Sequence, residues 1–288
     1  MTFPATLAAD AAAIQATLTA ALENRADEPV LHAMRYALTG GKRLRGFLVL
    51  ESARLHGVGD RALPAAAAIE ALHAYSLIHD DLPCMDDDDL RRGQPTVHKK
   101  WDEATAVLAG DALQTLAFEL LCDPALGSAE VRLGLVLGLA KASGAEGMVL
   151  GQALDMAAEI APNPLTLDQI THLQAGKTGA LIRFAACAGA ILAGADPKPL
   201  DGYAQALGLA FQIADDILDV RGDPAKAGKR LGKDASAGKA TFVSLLGLES
   251  AETLAETLIT EAGAHLSPYG DKAAILIAAA RFVIARES

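Results

Sequence analysis

Apolar residues recur at helical spacing along almost the whole chain, and the runs are cut only by short glycine or proline breaks. The breaks fall at Gly40-Gly41, Gly57–Gly59, Pro124, Pro162–Pro164, Pro197–Pro199 and Pro268-Tyr269-Gly270. Between them Ala and Leu dominate, aromatic residues make up only 4%, and β-branched runs are scarce. Strong helix formers with few strand formers predict an all-α fold. The expected helices lie near 5–24, 28–39, 44–56, 62–82, 102–121, 129–142, 146–158, 167–174, 176–193, 201–219, 241–262 and 271–285. Hydrophobic residues are 51% of the chain, enough to bury a large core. The gaps are too short to separate domains, so one large helical domain over residues 1–288 is expected.

A formal net charge of -11 argues against a general nucleic-acid binder, which needs a basic face. Cys84, Cys122 and Cys187 are widely spaced and form no CxxC pair. That pattern gives neither a disulfide framework nor a zinc site, and all three are expected as buried thiols in a reducing compartment. The N-terminus meets Asp10 before any basic residue, unlike a signal peptide. The longest uninterrupted apolar runs, Phe184–Ala195 and Ala273–Ala280, are too short to span a bilayer. A cytoplasmic protein with no membrane span and no nucleic-acid partner is expected.

Two polar segments break the apolar pattern, residues 83–100 and 221–240, and each follows a helix that ends in aspartates. The first cluster is Asp80-Asp81-Leu82-Pro83-Cys84-Met85-Asp86, with Asp87 to Asp89 behind it; the second is Asp215-Asp216-Ile217-Leu218-Asp219. Positions four apart share a helix face about 6 Å apart along the axis, so Asp215 and Asp219 point the same way. Pro83 is expected to end the first helix, which leaves the direction of Asp86 open. Carboxylates at a helix C-terminus oppose the macrodipole and need compensation. Magnesium, which bridges carboxylates to phosphates, supplies it. A single Asp-Asp pair would pass for a solvated helix end, but two clusters beside basic segments would not.

Those basic segments suit an anionic ligand. Gly40-Gly41-Lys42-Arg43-Leu44-Arg45 combines a glycine turn with three cations at a helix start. Arg91-Arg92 follow the first cluster, and Lys177-Thr178-Gly179 opens another helix. Residues 221–240 carry Arg221, Lys226, Lys229, Arg230, Lys233 and Lys239 against Asp223 and Asp234, a local positive excess that suggests a lid over phosphate.

In this order the motifs resemble the trans-isoprenyl diphosphate synthases (polyprenyl synthetases), most closely the bacterial farnesyl type. The resemblance is carried by Gly41–Arg45, by His73 to Asp86 with Arg91-Arg92-Gly93, by Gly151-Gln152-Ala153-Leu154-Asp155, by Lys177-Thr178-Gly179, by Phe211-Gln212, by Asp215–Asp219, and by Gly228-Lys229 and Gly238-Lys239. It implies helices around a deep central cavity and a homodimer. It also implies three magnesium ions per active site, held by Asp80, Asp86 and Asp215, with Asp81, Asp216 and Asp219 close by. Arg91, Lys177, Thr178, Gln212, Lys229 and Lys239 would bind the allylic diphosphate. Lys42, Arg45, His73 and Arg92 would bind isopentenyl diphosphate, and His79 would be structural. Asp80, Asp86, Lys177 and Asp215 would carry the chemistry.

Tyr75 lies five positions before Asp80, about 7.5 Å along the helix. Facing the cavity, its ring would floor the space for the growing tail, with little help from Ser76. The two extra residues in the first motif also match the bacterial farnesyl type, so a fifteen-carbon product is expected from dimethylallyl or geranyl diphosphate. A geranylgeranyl synthase is the alternative. A class I terpene cyclase would leave Lys42, Arg45 and Arg92 unexplained. A metal phosphohydrolase would need more histidines in register, and a non-catalytic partner subunit would have lost aspartates.

Overall fold

The computed structural model describes residues 2–221 and 240–285. The expected lid, including the diphosphate ligands Lys229 and Lys239, lies outside the described residues. The chain forms two compact units, Met1–Leu137 with Ala188–Ala195, and Gly138–Cys187 with Asp196–Ser288.

In the first unit, α1 (Phe3–Glu23), α3 (Leu44–Leu55) and α6 (Glu103–Leu121) pack with α4 (Leu63–Asp80), and α2 (Pro29–Ala37) packs on α6. A short α5 (Val97–Lys100) precedes α6, and α7 (Ala129–Ser143) starts in this unit. Helix α4 is apolar on every side: Ala65–Ala68, Ile69, Ala71 and Leu72 are all fully buried, as a core helix requires. Small residues let it pack closely on α6, and Gly46 does the same for α3, where a Cβ would sit 2.6 Å from Ile14 Cδ1. Glu70, the one acid in this alanine run, is buried and accepts the Gly46 amide at 2.8 Å.

In the second unit, α8 (Met148–Glu159) and α9 (Leu167–Gln174) lead into a π turn, Ala175–Gly179, and then α10 (Ala180–Ala193). Helix α11 (Lys198–Arg221) packs with α12 (Phe242–Leu246), α13 (Leu248–His265) and α14 (Ala274–Ala285). Tyr203 is fully buried and donates to the Leu276 carbonyl at 2.9 Å, tying α11 to α14.

The all-α expectation holds, with local differences. A small hairpin, β1 (Leu90–Arg91) with β2 (Gln94–Pro95), interrupts the first polar segment. Its two-residue loop, Arg92 (φ 53°) and Gly93 (φ 74°), has both φ angles positive, which matches the strand twist. The helix expected over 241–262 is split at Gly247 (φ 79°). Cys84 and Cys122 are exposed rather than buried, because one sits in the loop after α4 and the other at the end of α6. Only Cys187 is partly covered, and burial pushes its thiol up to about 12.

The stretches Phe3–Glu23, Glu103–Leu121, Ala129–Glu159 and Leu167–Ala193 are long and apolar enough to cross a membrane by length and composition alone. Uninterrupted runs gave a different picture because single charges such as Asp10 and Asp111 fall inside these helices.

Candidate active site

The first aspartate cluster is built around the end of α4. The helix stops at Asp80, where Pro83 cannot continue it, and Asp81 caps it by donating its amide to Leu77 at 3.1 Å. The chain then curls back. The Met85 and Asp87 amides bond the Leu82 carbonyl, and the Asp86 amide donates to the Asp80 carbonyl at 2.9 Å. Thus the backbone of Asp86 returns to Asp80, which sequence left open.

Asp81 is buried and accepts two hydrogen bonds from Arg91, one from Nε at 3.0 Å and one from Nη2. Burial holds the Asp81 carboxyl above its ordinary value, offset only in part by the Arg91 hydrogen bonds and charge, and it opposes the Arg91 charge. The two-pronged geometry decides for the charged pair, and Arg91 is raised above its ordinary value. Asp81 is therefore committed to a side chain, while Asp80 and Asp86 remain the candidate metal carboxylates.

Arg43, read in sequence as one of three cations at a helix start, turns inward instead. It caps α3 in the left-handed region (φ 53°), its side chain is buried, and it pairs with Glu70 at 3.4 Å, Gln15 at 2.6 Å and the Leu38 carbonyl. Its charge serves the core. Arg92 leans instead over Gly41, where a Cβ would sit 2.7 Å from the guanidinium carbon, and Nη1 donates to the Thr39 carbonyl at 3.3 Å. Gly41 is thus required for its φ of 85°, and any side chain there would push the Arg92 guanidinium aside. A cavity of about 270 Å³ lies here, lined by Gly41, Ala74, Leu77, Asp81, Arg91 and Arg92 among others. Tyr36 holds the hairpin beside it: its hydroxyl donates to Pro95 at 2.8 Å, and Lys100 Nζ sits 3.7 Å over its ring.

His73 is half-buried, and Arg45 Nη1 donates to its Nε2 at 3.3 Å, which assigns the proton to Nδ1. Burial, then the charges of Arg45, Arg92, Arg91 and Arg43, hold its pKa well below the ordinary value. A neutral imidazole amid four arginines is consistent with an anion site. Tyr75 is buried with its ring edge-on to His79 at 5.1 Å. His79 reaches the Val107 carbonyl at 3.0 Å on α6, so its role is structural as expected. Ser76 donates back to the His73 carbonyl at 2.8 Å.

In the second unit, the helix spacing of α11 places Asp215 and Asp219 on one face, as the sequence predicts. Asp216 is buried and differently employed. It accepts the Phe242 amide at 2.8 Å through Oδ2 and Gln212 Nε2 at 3.3 Å through Oδ1. Gln212 in turn accepts from Thr178 at 3.3 Å, so a hydrogen-bonded chain links the π turn, α11 and the start of α12. This fixes which way the Gln212 amide points. Lys177 does not open a regular helix; it lies in the π turn and pairs with Asp155 of α8 at 2.7 Å. Sequence quoted Asp155 without a role, and the signal was there: Gly151 and Asp155, one turn apart, share a helix face.

Among the described residues, no group of three His, Cys, Asp or Glu side chains could hold a metal ion on its own. The donors still fit magnesium, which is bound by one or two carboxylates together with substrate phosphates rather than by an all-protein cage.

An all-α fold with two carboxylate clusters, each accompanied by cations, defines a diphosphate-handling enzyme of the helical prenyltransferase type. A family model, polyprenyl synthetase, matches residues 27–275. The chain is 51% identical to the farnesyl diphosphate synthase of Escherichia coli (strain K12) over 269 residues, covering 90% of this chain and 89% of the relative. The fold matches the apo crystal structure of an FPP/GFPP synthase from Zymomonas mobilis with a TM-score of 0.90 and 47% identity, over 98% of each chain. It also matches a geranyltransferase from Helicobacter pylori complexed with magnesium and isoprenyl diphosphate, with a TM-score of 0.80 and 38% identity over 93% of each chain. The chain belongs to the polyprenyl synthetase family.

Proposed function

We propose that this chain is a farnesyl diphosphate synthase, condensing isopentenyl diphosphate with dimethylallyl and then geranyl diphosphate. The single observation that carries the reading is the Arg45–His73 pair beside Arg92, in a setting that keeps the imidazole neutral. In this reading the pair belongs to the site of a second diphosphate, which a cyclase with one substrate does not need. The resemblance to farnesyl synthases over nearly the whole chain agrees with it. The polyprenyl synthetase match runs through both compact units, which supports reading 1–288 as one domain.

In this reading Lys42, Arg45, His73 and Arg92 hold isopentenyl diphosphate. Arg91, Lys177, Thr178 and Gln212 hold the allylic diphosphate, with Lys229 and Lys239 outside the described residues. Asp80, Asp86 and Asp215 are the magnesium carboxylates, and three ions per site is the number the family resemblance implies. Bound magnesium would neutralise the diphosphate as its bond to the allylic carbon breaks. The cationic side chains stabilise the same developing charge from fixed positions. The double bond of isopentenyl diphosphate then forms the new carbon–carbon bond, and a proton leaves to the departing diphosphate. Neutral His73 keeps Arg45 aligned and gives up no proton.

A homodimer is supported by exposed Val107 and Leu108 on α6 and Leu133 and Leu137 on α7, apolar surface that a second copy would cover. Such covering would keep this apolar surface from lipid, in keeping with a cytoplasmic enzyme.

Purified protein incubated with magnesium, isopentenyl diphosphate and geranyl diphosphate should yield linear farnesyl diphosphate on chromatography. A cyclic hydrocarbon or free phosphate would overturn the reading. Tyr75→Ala should shift product toward twenty carbons; an unchanged length would remove Tyr75 as the floor.

A further inference from the structure

Helix α8 meets the π turn backbone to backbone. A Cβ on Gly151 would fall 2.0 Å from the Lys177 nitrogen, and one on Gly176 would fall 3.0 Å from the Gly147 carbonyl oxygen. With no side chains between them, α8 fixes where the widened turn places Lys177. One turn along the same face, Asp155 accepts from Lys177 Nζ at 2.7 Å, and the two side chains are only 13% and 24% exposed. A lysine side chain has four rotatable bonds, and its ammonium is a point charge without the fixed fork of arginine. Something must therefore aim it, and a largely covered carboxylate at hydrogen-bond distance does so. π turns are rare and concentrate at functional sites, which fits a lysine displayed on purpose rather than a stray surface pair.

We propose that Asp155 is a positioning residue for the allylic diphosphate: on the platform made by Gly151, it orients Lys177 toward that ligand. The inference rests on Lys177 being an allylic diphosphate ligand, as in the function proposed above. Asp155 touches no substrate itself.

The test measures binding of two ligands with magnesium by calorimetry, an unreactive geranyl thiolodiphosphate and isopentenyl diphosphate, in wild type and variants. Asp155→Asn, which keeps the shape and removes the charge, should weaken the geranyl analogue by about ten- to a hundredfold. Isopentenyl diphosphate should stay within about twofold, since Lys177 does not hold it, and Asp155→Glu should recover most of the lost affinity. In a Lys177→Ala background, Asp155→Asn should add no further loss, because the two residues act as one unit. Equal weakening of both ligands, or a full additional loss on top of Lys177→Ala, would show a merely structural role and overturn the proposal. Wild-type affinity in Asp155→Asn would overturn it too. A wild type that binds neither ligand would instead sink the functional reading, and this inference with it.

Discussion

At the first aspartate cluster the helix stops at Asp80 and the chain curls back through Asp86, whereas at the second α11 runs past Asp219 to Arg221. One cluster presents its carboxylates through an irregular loop, the other through plain helical spacing. Yet in both, the second aspartate of the adjacent pair is taken by the fold. Asp81 is clasped by Arg91, and Asp216 binds the Phe242 amide and Gln212. An adjacent pair at a helix end thus divides its work. One carboxylate is held by the protein's own donors, and in the proposed function its neighbour serves the metal and ligand.

That division can be broken by experiment. The largest effect is expected at the ligand-side aspartates. Asp80→Ala and Asp215→Ala should each lower kcat by about 10² to 10³-fold in steady-state assays, because charge stabilisation at the leaving group is lost. In this reading the loss appears in kcat, with melting temperatures little changed in calorimetry. A lower melting temperature with intact kcat would reverse the assignment.

The fold-side aspartates should behave the other way. Asp216→Ala leaves a buried amide without its acceptor, which costs about 1 to 3 kcal/mol, or several degrees in calorimetry. Asp81→Asn should cost less, about 1 kcal/mol, because Arg91 is a third exposed and can be hydrated. If Asp81→Asn proved more damaging than Asp216→Ala, the clasp would be stronger than its exposure suggests.

The smallest effect is a pH dependence confined to the first unit. His73 has its folded pKa depressed, so below its ordinary value of 6.5 the unfolded chain takes up a proton that the native state refuses. Stability present above pH 6.5 should therefore decline as pH falls through that value. His73→Gln should flatten the slope in denaturant titrations between pH 5 and 7. An unchanged slope would mean that burial and the arginines do not hold the imidazole neutral.

Much of the site was legible before any coordinates. The end of α4 ahead of Pro83 and the shared face of Asp215 and Asp219 follow from motif and period, and the structure agrees. Other residues misled. Arg43 read as a third ligand cation and is buried against Glu70, and the cysteines read as buried although two are exposed. Nothing local distinguishes Arg43 from Lys42, since the acid that captures it lies 27 positions away on another helix.

The all-α class, most of the helices and the inventory of carboxylates and cations were legible in the sequence alone, because propensity, capping and the 3.6-residue period act within a few residues. Tertiary structure decided which member of each inventory is spent on the fold. Arg43 went to Glu70, Asp81 to Arg91 and Asp216 to Phe242. Each pairing joins groups 10 to 27 residues apart, and burial makes an unpaired charge or amide too costly to leave. The choice of partner is therefore made by packing, which brings those groups together.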